Sequence, residues 1–418
     1  MIDVCSQERK PLLSIDEALD KIKATIQPIV EAETIALQNA LGRVLVAPAY
    51  SVINSPPDRN AAMDGYAFLS ADVKPGQSFS LECVGTSWAG HPYTGQLKAG
   101  QCIRIFTGAV LPPELDSVIM QEQVTVDGLA TYFPEQTTVK QHVREVGEDI
   151  KRGGLLFDPP KKLSAIDLGF LASAGVTEVT VRRIVRVAIF STGDELVELG
   201  QPLASGQIYD SNRHLLKGLL SDPGYSVTDL GVIADDPILL EASFIEAAKN
   251  HDVMITTGGA SVGEADYINE ILARCGEVNF WKLAIKPGKP LAFGKIGECY
   301  FFGLPGNPVA VVVTYHYLVK PALKQVSGAL VSTPLFLNAT CTSPLKKSKG
   351  RQEYQRGILT QDSNGEFFVA SSGRQGSNIL KSMCQANCYI VLPVDCQDVQ
   401  AGDKVRVELI QGVELRFA

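Results

Sequence analysis

Residues 180–328 alternate between short apolar runs and helix-like segments, and this alternation constrains the fold more than any other feature of the sequence. The strand-like runs are IVRVAIF, YSVTDLGVI, HDVMITT and CYFFGL, and helix-like segments follow them at 211–221, 237–249, 266–274 and 308–326. Strands that alternate with helices are typical of a parallel sheet covered by helices on both faces. The sequence therefore predicts a doubly wound α/β domain over 180–328.

The chain on either side of this region has a different character. Residues 11–30 and 163–176 have helical periodicity, and Ser14 with Glu17 fits a capping box at the start of the first segment. Short β-like pieces separated by Gly, Pro and Asp lie between them, and a similar β pattern returns after about residue 331. We therefore predict an α/β plus β multidomain protein with a helical, elongated and discontinuous N-terminal domain at 1–50 and 141–179, an inserted small β-domain at 51–140, the α/β domain at 180–328 and a C-terminal β-barrel at 329–418.

Composition narrows the class of protein. The 418 residues exceed what one hydrophobic core can organise, and 45% apolar with 20% charged residues is typical of a soluble globular protein. The net charge of −8 argues against a nucleic-acid partner. Nine scattered cysteines without a C-x-x-C pair indicate reduced thiols, and the charged N-terminus has no apolar leader. We expect a cytoplasmic protein with no membrane partner.

Chemically active residue types follow the strands of the α/β region. In an open α/β sheet, ligands bind beyond the carboxyl ends of the strands, so these residues are expected at one edge. The candidates are Asp194 and Glu195, Asp235 and Asp236, Gly258, Gly259, Ser261, Glu264 and Asp266, Lys282, Lys286 and Lys289, and Pro305 and Pro308.

Each motif alone also has a structural interpretation, because acids and hydroxyls cap helices, and KPGKP and GLPGNP suit turns. Together they predict more than that. Backbone N–H groups of a glycine loop and lysine ammonium groups bind anions, whereas carboxylates bind a hard divalent cation such as Mg²⁺. The combination predicts a phosphorylated or nucleotide-bearing small molecule as ligand, with magnesium between acids and phosphates. The chain lacks the G-x-x-x-x-G-K-[ST] and H-E-x-x-H motifs of other enzyme classes.

Four further candidates lie outside the α/β region. Asp64 stands in NAAMDGYAF and Thr107 in RIFTGAVLP, and both segments also suit strand ends and turns. Arg356 and Ser377 stand in the β-rich C-terminal part, in YQRGIL and GRQGSN. Their residue types alone leave a structural and a binding role equally open.

Taken in order, AMDGYAF, RIFTGAV, STGDEL, SVGEADY, KLAIKPGKP and GLPGNPVA resemble the MoeA family of molybdopterin molybdenumtransferases, which is related to the E domain of gephyrin. The resemblance runs from about residue 14 to the C-terminus. It implies a MogA-like α/β domain and an enzyme of molybdenum cofactor biosynthesis. The implied reaction is the magnesium-dependent insertion of molybdate into adenylylated molybdopterin with release of AMP. It also implies a homodimer whose active site is shared between subunits.

The resemblance assigns roles to individual residues. The implied metal ligands are Asp194, Glu195, Asp235 and Asp266. The implied catalytic residues are Asp64, Glu195, Asp266, Lys282 and Lys286. The implied substrate-binding residues are Thr107, Gly258, Gly259, Ser261, Pro305, Pro308, Arg356 and Ser377.

The sequence departs from the family pattern at one place. Family members commonly have Asp-Asn-Ser before AMDGYA, whereas this chain has Arg59, Asn60 and Ala61. A carboxylate and a hydroxyl are therefore missing beside Asp64, which remains the acid of this segment.

Two other functions are compatible with the motifs. A molybdopterin-binding or adenylyltransferase module of the MogA type shares the glycine loop, but the additional domains and MDGYA argue against it. A gephyrin-like scaffold is the second alternative, although a scaffold does not need the full set of acids. A MogA-type protein is also a candidate partner.

Overall fold

The computed structural model describes residues 12–258, 266–410 and 416–417, with side chains for these residues except 266–270, Phe280 and 416–417. The helices are α1 (Ile15–Thr25), α2 (Ala165–Ser173), α3 (Ser211–Leu219), α4 (Pro237–Asn250), α5 (Asp266–Cys275), α6 (Pro308–Thr314), α7 (Lys320–Val326) and α8 (Leu380–Gln385). A π-helical turn, Tyr315–Val319, joins α6 to α7.

The described strands range from two to ten residues in length. They are β1 (Ala32–Ala36), β2 (Val44–Leu45), β3 (Ala49–Tyr50), β4 (Asn60–Ala61), β5 (Gly65–Phe68), β6 (Phe79–Ser87), β7 (Gln101–Ile105), β8 (Ser117–Met120), β9 (Thr125–Asp127), β10 (Ala130–Phe133), β11 (Val143–Arg144), β12 (Leu155–Phe157), β13 (Lys161–Lys162), β14 (Glu178–Arg182), β15 (Val185–Thr192), β16 (Leu196–Val197), β17 (Ile208–Tyr209), β18 (Tyr225–Ile233), β19 (Val253–Thr257), β20 (Glu277–Lys282), β21 (Ile285–Lys286), β22 (Pro290–Ile296), β23 (Cys299–Leu304), β24 (Leu337–Cys341), β25 (Gln352–Gln361), β26 (Phe367–Ser371), β27 (Cys388–Leu392), β28 (Lys404–Leu409) and β29 (Arg416–Phe417).

The α/β domain contains a six-stranded sheet in the order β18-β15-β19-β23-β22-β20. The first four strands are parallel, as the alternation predicts. Strand β22 runs antiparallel to β23, and β20 runs antiparallel to β22. Two reversals restore the direction, so the carboxyl end of β20 lies at the same sheet edge as those of the parallel strands.

Helices cover both faces of this sheet. On one face, Phe190, Met254 and Phe301 pack with Leu240 and Phe244 of α4. The opposite face carries the largest core cluster of the described residues, which joins the sheet to α3, α6, the π-helical turn and α7. Because both faces are buried, the strands are nearly continuous apolar runs, as is usual for parallel sheets.

The first helix belongs to this second core, so the prediction of a helical N-terminal domain is wrong in this respect. Ser14 and Glu17 form the predicted capping box, but Ile22 and Ile26 are buried in the same cluster as Leu318 and Leu323 of the α/β domain. An apolar helix face must be buried, and its partner surface lies about 300 residues away in the sequence rather than in the neighbouring segment.

The remaining N-terminal unit is mainly a β-structure. Strands from both sides of the inserted segment form one sheet in the order β1-β14-β2-β13, and helix α2 packs its Leu171 against the core of this sheet. The inserted segment contains a six-stranded sheet in the order β8-β5-β7-β6-β10-β9, with a separate apolar cluster on each face. The N-terminal unit is therefore discontinuous, but it is not a helical domain.

The C-terminal part contains a closed five-stranded barrel, which confirms the predicted β-barrel. Strand β24 pairs with β28, β28 with β27, β27 with β25, β25 with β26, and β26 again with β24. Leu359, Val369, Ile390 and Val407 fill its interior.

Two further observations concern composition. The eight cysteines within the described part of the chain are all free, as the scattered pattern predicts. None of the described helices is long and apolar enough to cross a membrane.

Candidate active site along the carboxyl edge of the sheet

The predicted site residues of the α/β domain lie along one sheet edge in a defined order. Crossing the sheet, Asp235 follows β18, Asp194 follows β15, Gly258 follows β19, Pro305 follows β23, and Lys282 ends β20. Four strand spacings separate β15 from β20, a distance of about 19 Å. The acids and lysines therefore occupy opposite ends of an extended edge, with the glycine turn between them.

The acids after β15 and β18 come close together. The Asp194 carboxylate accepts a hydrogen bond of 3.4 Å from the backbone N–H of Asp235. Partial removal from water, and then the negative charges of Asp194 and Glu195, raise the pKa of Asp235. A helix-capping role for Asp194 and Glu195 is excluded because strand β16, not a helix, follows them. This acidic cluster of Asp194, Glu195 and Asp235 concentrates like charges at one point.

Asp236, which follows Asp235 in the chain, has a structural role as a helix cap. Asp236 is the N-cap of α4, and its carboxylate accepts hydrogen bonds from the backbone N–H groups of Ile238 and Leu239 at 2.8 and 3.0 Å. Of the two adjacent aspartates, one caps the helix and the other faces the acids after β15.

Gly258 makes the tight turn at the end of β19. Its φ of +89° lies in the left-handed region, and a Cβ at this position would overlap the carbonyl oxygen of Thr192. Only glycine fits both conditions. The buried hydroxyl of Thr192 has no hydrogen-bond partner among the described residues. The carboxyl ends of β15 and β19 therefore lie in close contact beside the Thr192 hydroxyl.

The structure describes only part of the predicted metal and phosphate groups. Within the described residues, no three His, Cys, Asp or Glu side chains form a ready metal site. Gly259, Ser261 and Glu264 lie outside the described residues, and Asp266 is described only as the first residue of α5. The donor set nevertheless fits Mg²⁺ in kind, since the clustered groups are carboxylates, whose oxygen atoms are ligands that Mg²⁺ prefers.

The two candidate lysines have different surroundings. Lys282 is exposed at the end of β20. Lys286 donates to the Glu353 carboxylate of β25 at 3.3 Å, and Gln355 donates to the second oxygen of this carboxylate at 3.0 Å. The pairing of β21 with β25 places Lys286 beside Glu353. Lys286 therefore connects the α/β domain to the barrel.

The PGNP turn brings Ser377 to the same edge. Asn212 donates to the carbonyl of Gly306 at 2.7 Å, which fixes the turn before α6. The backbone N–H of Val309, in the first turn of α6, donates to the carbonyl of Ser377 at 3.2 Å. Pro305 is buried, and Pro308 begins the helix as predicted. The structure thus places the C-terminal loop at 373–379 against the site.

Arg356 is buried and acts on this loop rather than facing solvent. It is 1% exposed, and its guanidinium donates to the carbonyls of Arg374, Gln375 and Gly376 and to the hydroxyl of Ser382. Desolvation lowers the pKa of Arg356. Carbonyl oxygens and a hydroxyl therefore occupy the guanidinium in this structure, and the role of Arg356 as a substrate ligand stays a prediction.

Asp64 and Thr107 form a pair in the inserted domain. The backbone N–H and the hydroxyl of Thr107 both donate to Oδ1 of Asp64 at 2.7 Å. These two bonds, the backbone one first, lower the pKa of the half-buried Asp64, and the charge of Arg104 lowers it further. Asp64 is therefore ionised at neutral pH. Arg104 was not among the predicted site residues, because a single arginine within a strand-like run does not form a recognisable motif.

A cavity lies beside Arg59, Asn60 and Ala61, where the chain departs from the family pattern, and the sequence motifs did not predict it. Ser55, Asn60, Arg144, Glu148 and Asp149 line a cavity of about 480 Å³. The short strands β4 and β11 pair Asn60 with Arg144 across it.

Arg59, the first residue of the departure, turns to form an ion pair of 3.5 Å with Glu145. The segment VREVGED, in which two acids directly follow a glycine, is the sequence feature that could have indicated this cavity.

The fold and the site define a class: a multidomain α/β protein with carboxylates and lysines at opposite ends of one sheet edge, completed by a β-barrel loop. Three family profiles match the chain: the MoeA N-terminal region (domain I and II) over 13–175, a probable molybdopterin binding domain over 188–325, and the MoeA C-terminal region (domain IV) over 338–410. The chain belongs to the MoeA family of molybdopterin molybdenumtransferases, and hence to molybdenum cofactor biosynthesis.

Similar proteins cover nearly the whole chain. The molybdopterin molybdenumtransferase of Haemophilus influenzae is 42% identical over 400 residues, which are 95% of this chain and 98% of that protein. A gephyrin of Dictyostelium discoideum is 30% identical over 95% of this chain and 62% of its own length. The crystal structure of a MoeA protein from Pyrococcus horikoshii matches with a TM-score of 0.78 and 27% identity, over 96% of this chain and 100% of that one.

Proposed function

We propose that this protein inserts molybdenum from molybdate into adenylylated molybdopterin and releases AMP. The observation that carries the proposal is the order of groups along the carboxyl edge: the acidic cluster, the Gly258 turn and Lys282. An edge of about 19 Å suits an elongated substrate with a pyrophosphate in the middle and ring systems at its ends. The 42% identical relative carries the name of this transferase.

Magnesium is part of this proposal. Asp194, Glu195 and Asp235 would hold it, with Asp266 of α5 as the fourth predicted ligand. When bound, Mg²⁺ would supply positive charge between the carboxylates and the pyrophosphate. The nearby charges of Asp194 and Glu195, which together with partial burial raise the pKa of Asp235, support this role, because a cation would relieve their repulsion.

Other residues act on the substrate directly in this proposal. Lys282, exposed at the far end of the edge, binds the anionic terminal phosphate or molybdate. Lys286 is held by Glu353 and turns the KPGKP segment towards the barrel, so it contributes mainly by position. Ser261 and Gly259 belong to the predicted phosphate loop.

Asp64 offers an ionised carboxylate to the reaction. Both Thr107 bonds go to Oδ1, which leaves Oδ2 available to accept a proton or to orient water. We propose that this pair serves the site of a second subunit in a homodimer, since it belongs to a different domain from the acidic cluster. A cytoplasmic location and docking of a MogA-type protein are part of the same proposal.

Purified protein, adenylylated molybdopterin, MgCl₂ and molybdate test the function directly. The proposed enzyme releases AMP, measured by chromatography, and the product reconstitutes an apo-molybdoenzyme. A binding module would bind the substrate without releasing AMP, and a scaffold would do neither. Absence of AMP release from a folded, dimeric preparation would overturn the proposal.

A further inference from the structure

An exposed tryptophan stacks beside the Asp64–Thr107 pair. The rings of Trp88 and Phe106 lie 3.9 Å apart between centroids and 8° from parallel. Phe106 immediately precedes Thr107 in the chain. Trp88 is 52% exposed, so Phe106 covers one part of its surface and solvent the rest. The exposed part of the indole, just after β6, is available for a further stacking contact.

The tryptophan is fixed in place before any ligand arrives. Trp88 and His91 exchange two backbone hydrogen bonds of 3.0 and 2.9 Å across a tight turn. The backbone N–H of Phe106 donates to the carbonyl of Ser87 at 3.3 Å, which ties the two ring-bearing segments together. A rigid aromatic surface loses little conformational entropy when a ligand stacks on it.

Charged and polar groups surround the aromatic pair. The Arg104 guanidinium lies 5.1 Å from the centre of the Phe106 ring and donates to Gln121 at 3.0 Å. The backbone N–H of Gln121 donates to the carbonyl of Asp64 at 3.1 Å. The platform, defined here as Trp88 with Phe106, is therefore linked to the Asp64–Thr107 pair through the ring contact of Arg104 and the hydrogen bonds of Gln121.

We propose that the platform is a binding subsite for a flat heteroaromatic ring, and that this ring is one of the two ring systems of the proposed substrate. The inference rests on the proposed function. A pterin and an adenine present the same chemistry, a planar heteroaromatic ring with polar edges. Trp88 binds the plane of the ring, the Asp64 carboxylate accepts hydrogen bonds from N–H groups at the ring edge, and Arg104 binds phosphate.

Binding measurements with two small probes separate the ring systems. Calorimetric titrations of the full-length protein use AMP in one arm and pterin-6-carboxylate in the other. Trp88→Ala should weaken binding of one probe by roughly tenfold, the usual loss of one stacking partner. Trp88→Phe should retain most of the affinity and Trp88→Leu should not, because leucine keeps apolar area but has no ring.

Tyr132→Ala is the matched control, since Tyr132 is an aromatic residue 48% exposed on the same sheet. It should leave both affinities unchanged. Equal affinity of wild type and Trp88→Ala for both probes, with unchanged melting temperatures, overturns the platform. A dimer that dissociates in Trp88→Ala, seen by sedimentation, also overturns it, because the ring would then face a second copy.

The AMP-release assay on wild type distinguishes the two proposals. Wild-type turnover combined with unaffected probe binding in the Trp88 variants removes the platform alone. A folded wild type that neither releases AMP nor binds a probe overturns the proposed function and the platform together.

Discussion

The Lys286 ammonium lies 3.3 Å from the Glu353 carboxylate, and this ion pair joins the lysine-rich loop of the α/β domain to the barrel. The two partners differ in environment, since the lysine side chain is 44% exposed and the glutamate side chain only 3%. A buried carboxylate depends on its partners, so loss of Lys286 affects stability as well as any anion that the loop binds.

Lys286→Met should lower the free energy of unfolding by about 1–2 kcal/mol, a value reduced for the exposure of the lysine. Glu353→Gln in the same chain should restore part of this loss, because the buried negative charge is then absent. Urea denaturation of the two single variants and the double variant measures the coupling. Lys282→Met is the control and should weaken substrate binding without a comparable loss of stability. Additive effects in the double variant would contradict the pairing.

Asp235→Asn should raise the melting temperature at neutral pH in the absence of divalent cations. Partial burial, and then the like charges of Asp194 and Glu195, raise the pKa of Asp235 above its ordinary 3.8, so the folded protein binds this proton more tightly than the unfolded chain does. The corresponding stability is fully present below the ordinary pKa and is lost as the pH rises through the raised one. The stabilising effect of the variant should therefore disappear at low pH.

The same variant tests the proposed magnesium site. MgCl₂ should raise the melting temperature of the wild type, and Asp235→Asn should reduce this increase. Asp236→Asn should keep it, because asparagine also caps a helix and Asp236 points to α4. An equal magnesium effect in all three proteins would show that the acidic cluster does not hold the cation.

Asp64→Ala and Asp266→Ala, each expected to be inactive, test the shared site when they are unfolded and refolded together. A mixed dimer has one site with both mutations and one with neither. Random reassortment makes about half the dimers mixed, so about a quarter of the wild-type AMP release should return. An inactive mixture that contains mixed dimers, shown by two affinity tags, would argue that each site belongs to one subunit.

Gly258→Ala should destabilise the protein by about 2 kcal/mol or more, because the left-handed φ and the overlap with the Thr192 carbonyl both oppose a Cβ. Gly306→Ala is the matched control at the same sheet edge. Its Cβ would meet no described atom within 4 Å. Thermal unfolding compares the two variants, and similar melting temperatures would contradict the tight approach of β15 and β19.

Arg356→Ala should destabilise the protein by about 3 kcal/mol, since it leaves buried carbonyls of the 374–376 segment without a donor. Arg356→Lys should not rescue it, because an ammonium lacks the planar fork that reaches several acceptors. Arg374→Ala, an exposed neighbour, is the control for charge removal. If Arg356→Ala unfolds like the wild type in urea, the guanidinium does not organise this loop.

The sequence predicts the α/β domain and the site edge because both depend on local patterns. Buried parallel strands are continuous apolar runs, and the groups after each strand must meet at one edge. The Asp64–Thr107 contact is harder to predict from the sequence, because the two residues are 43 positions apart and meet only through the pairing of β5 with β7. The family resemblance named both residues, but their mutual hydrogen bonds appear only in the structure.

Other features depend on contacts between domains, which no local pattern contains. The partner of Lys286 is 67 residues away in another domain. A charged residue in a strand pattern, such as Arg356, is expected at the surface. Arg356 is nevertheless buried, because its guanidinium donates hydrogen bonds to backbone carbonyls of the 374–376 segment. Helix α1 is amphipathic by sequence, but the sequence does not show which core its apolar face covers.

Placement of α1 in the α/β core has a consequence for synthesis on the ribosome. Ile22 emerges early, whereas Leu318 and Leu323, which share its core, are made about 300 residues later. The apolar face of α1 must therefore wait while the inserted β-domain and the small N-terminal sheet, whose contacts are more local, fold first. Only when α7 leaves the ribosome can α1 dock, so this core closes late in translation, after the inserted β-domain has been made.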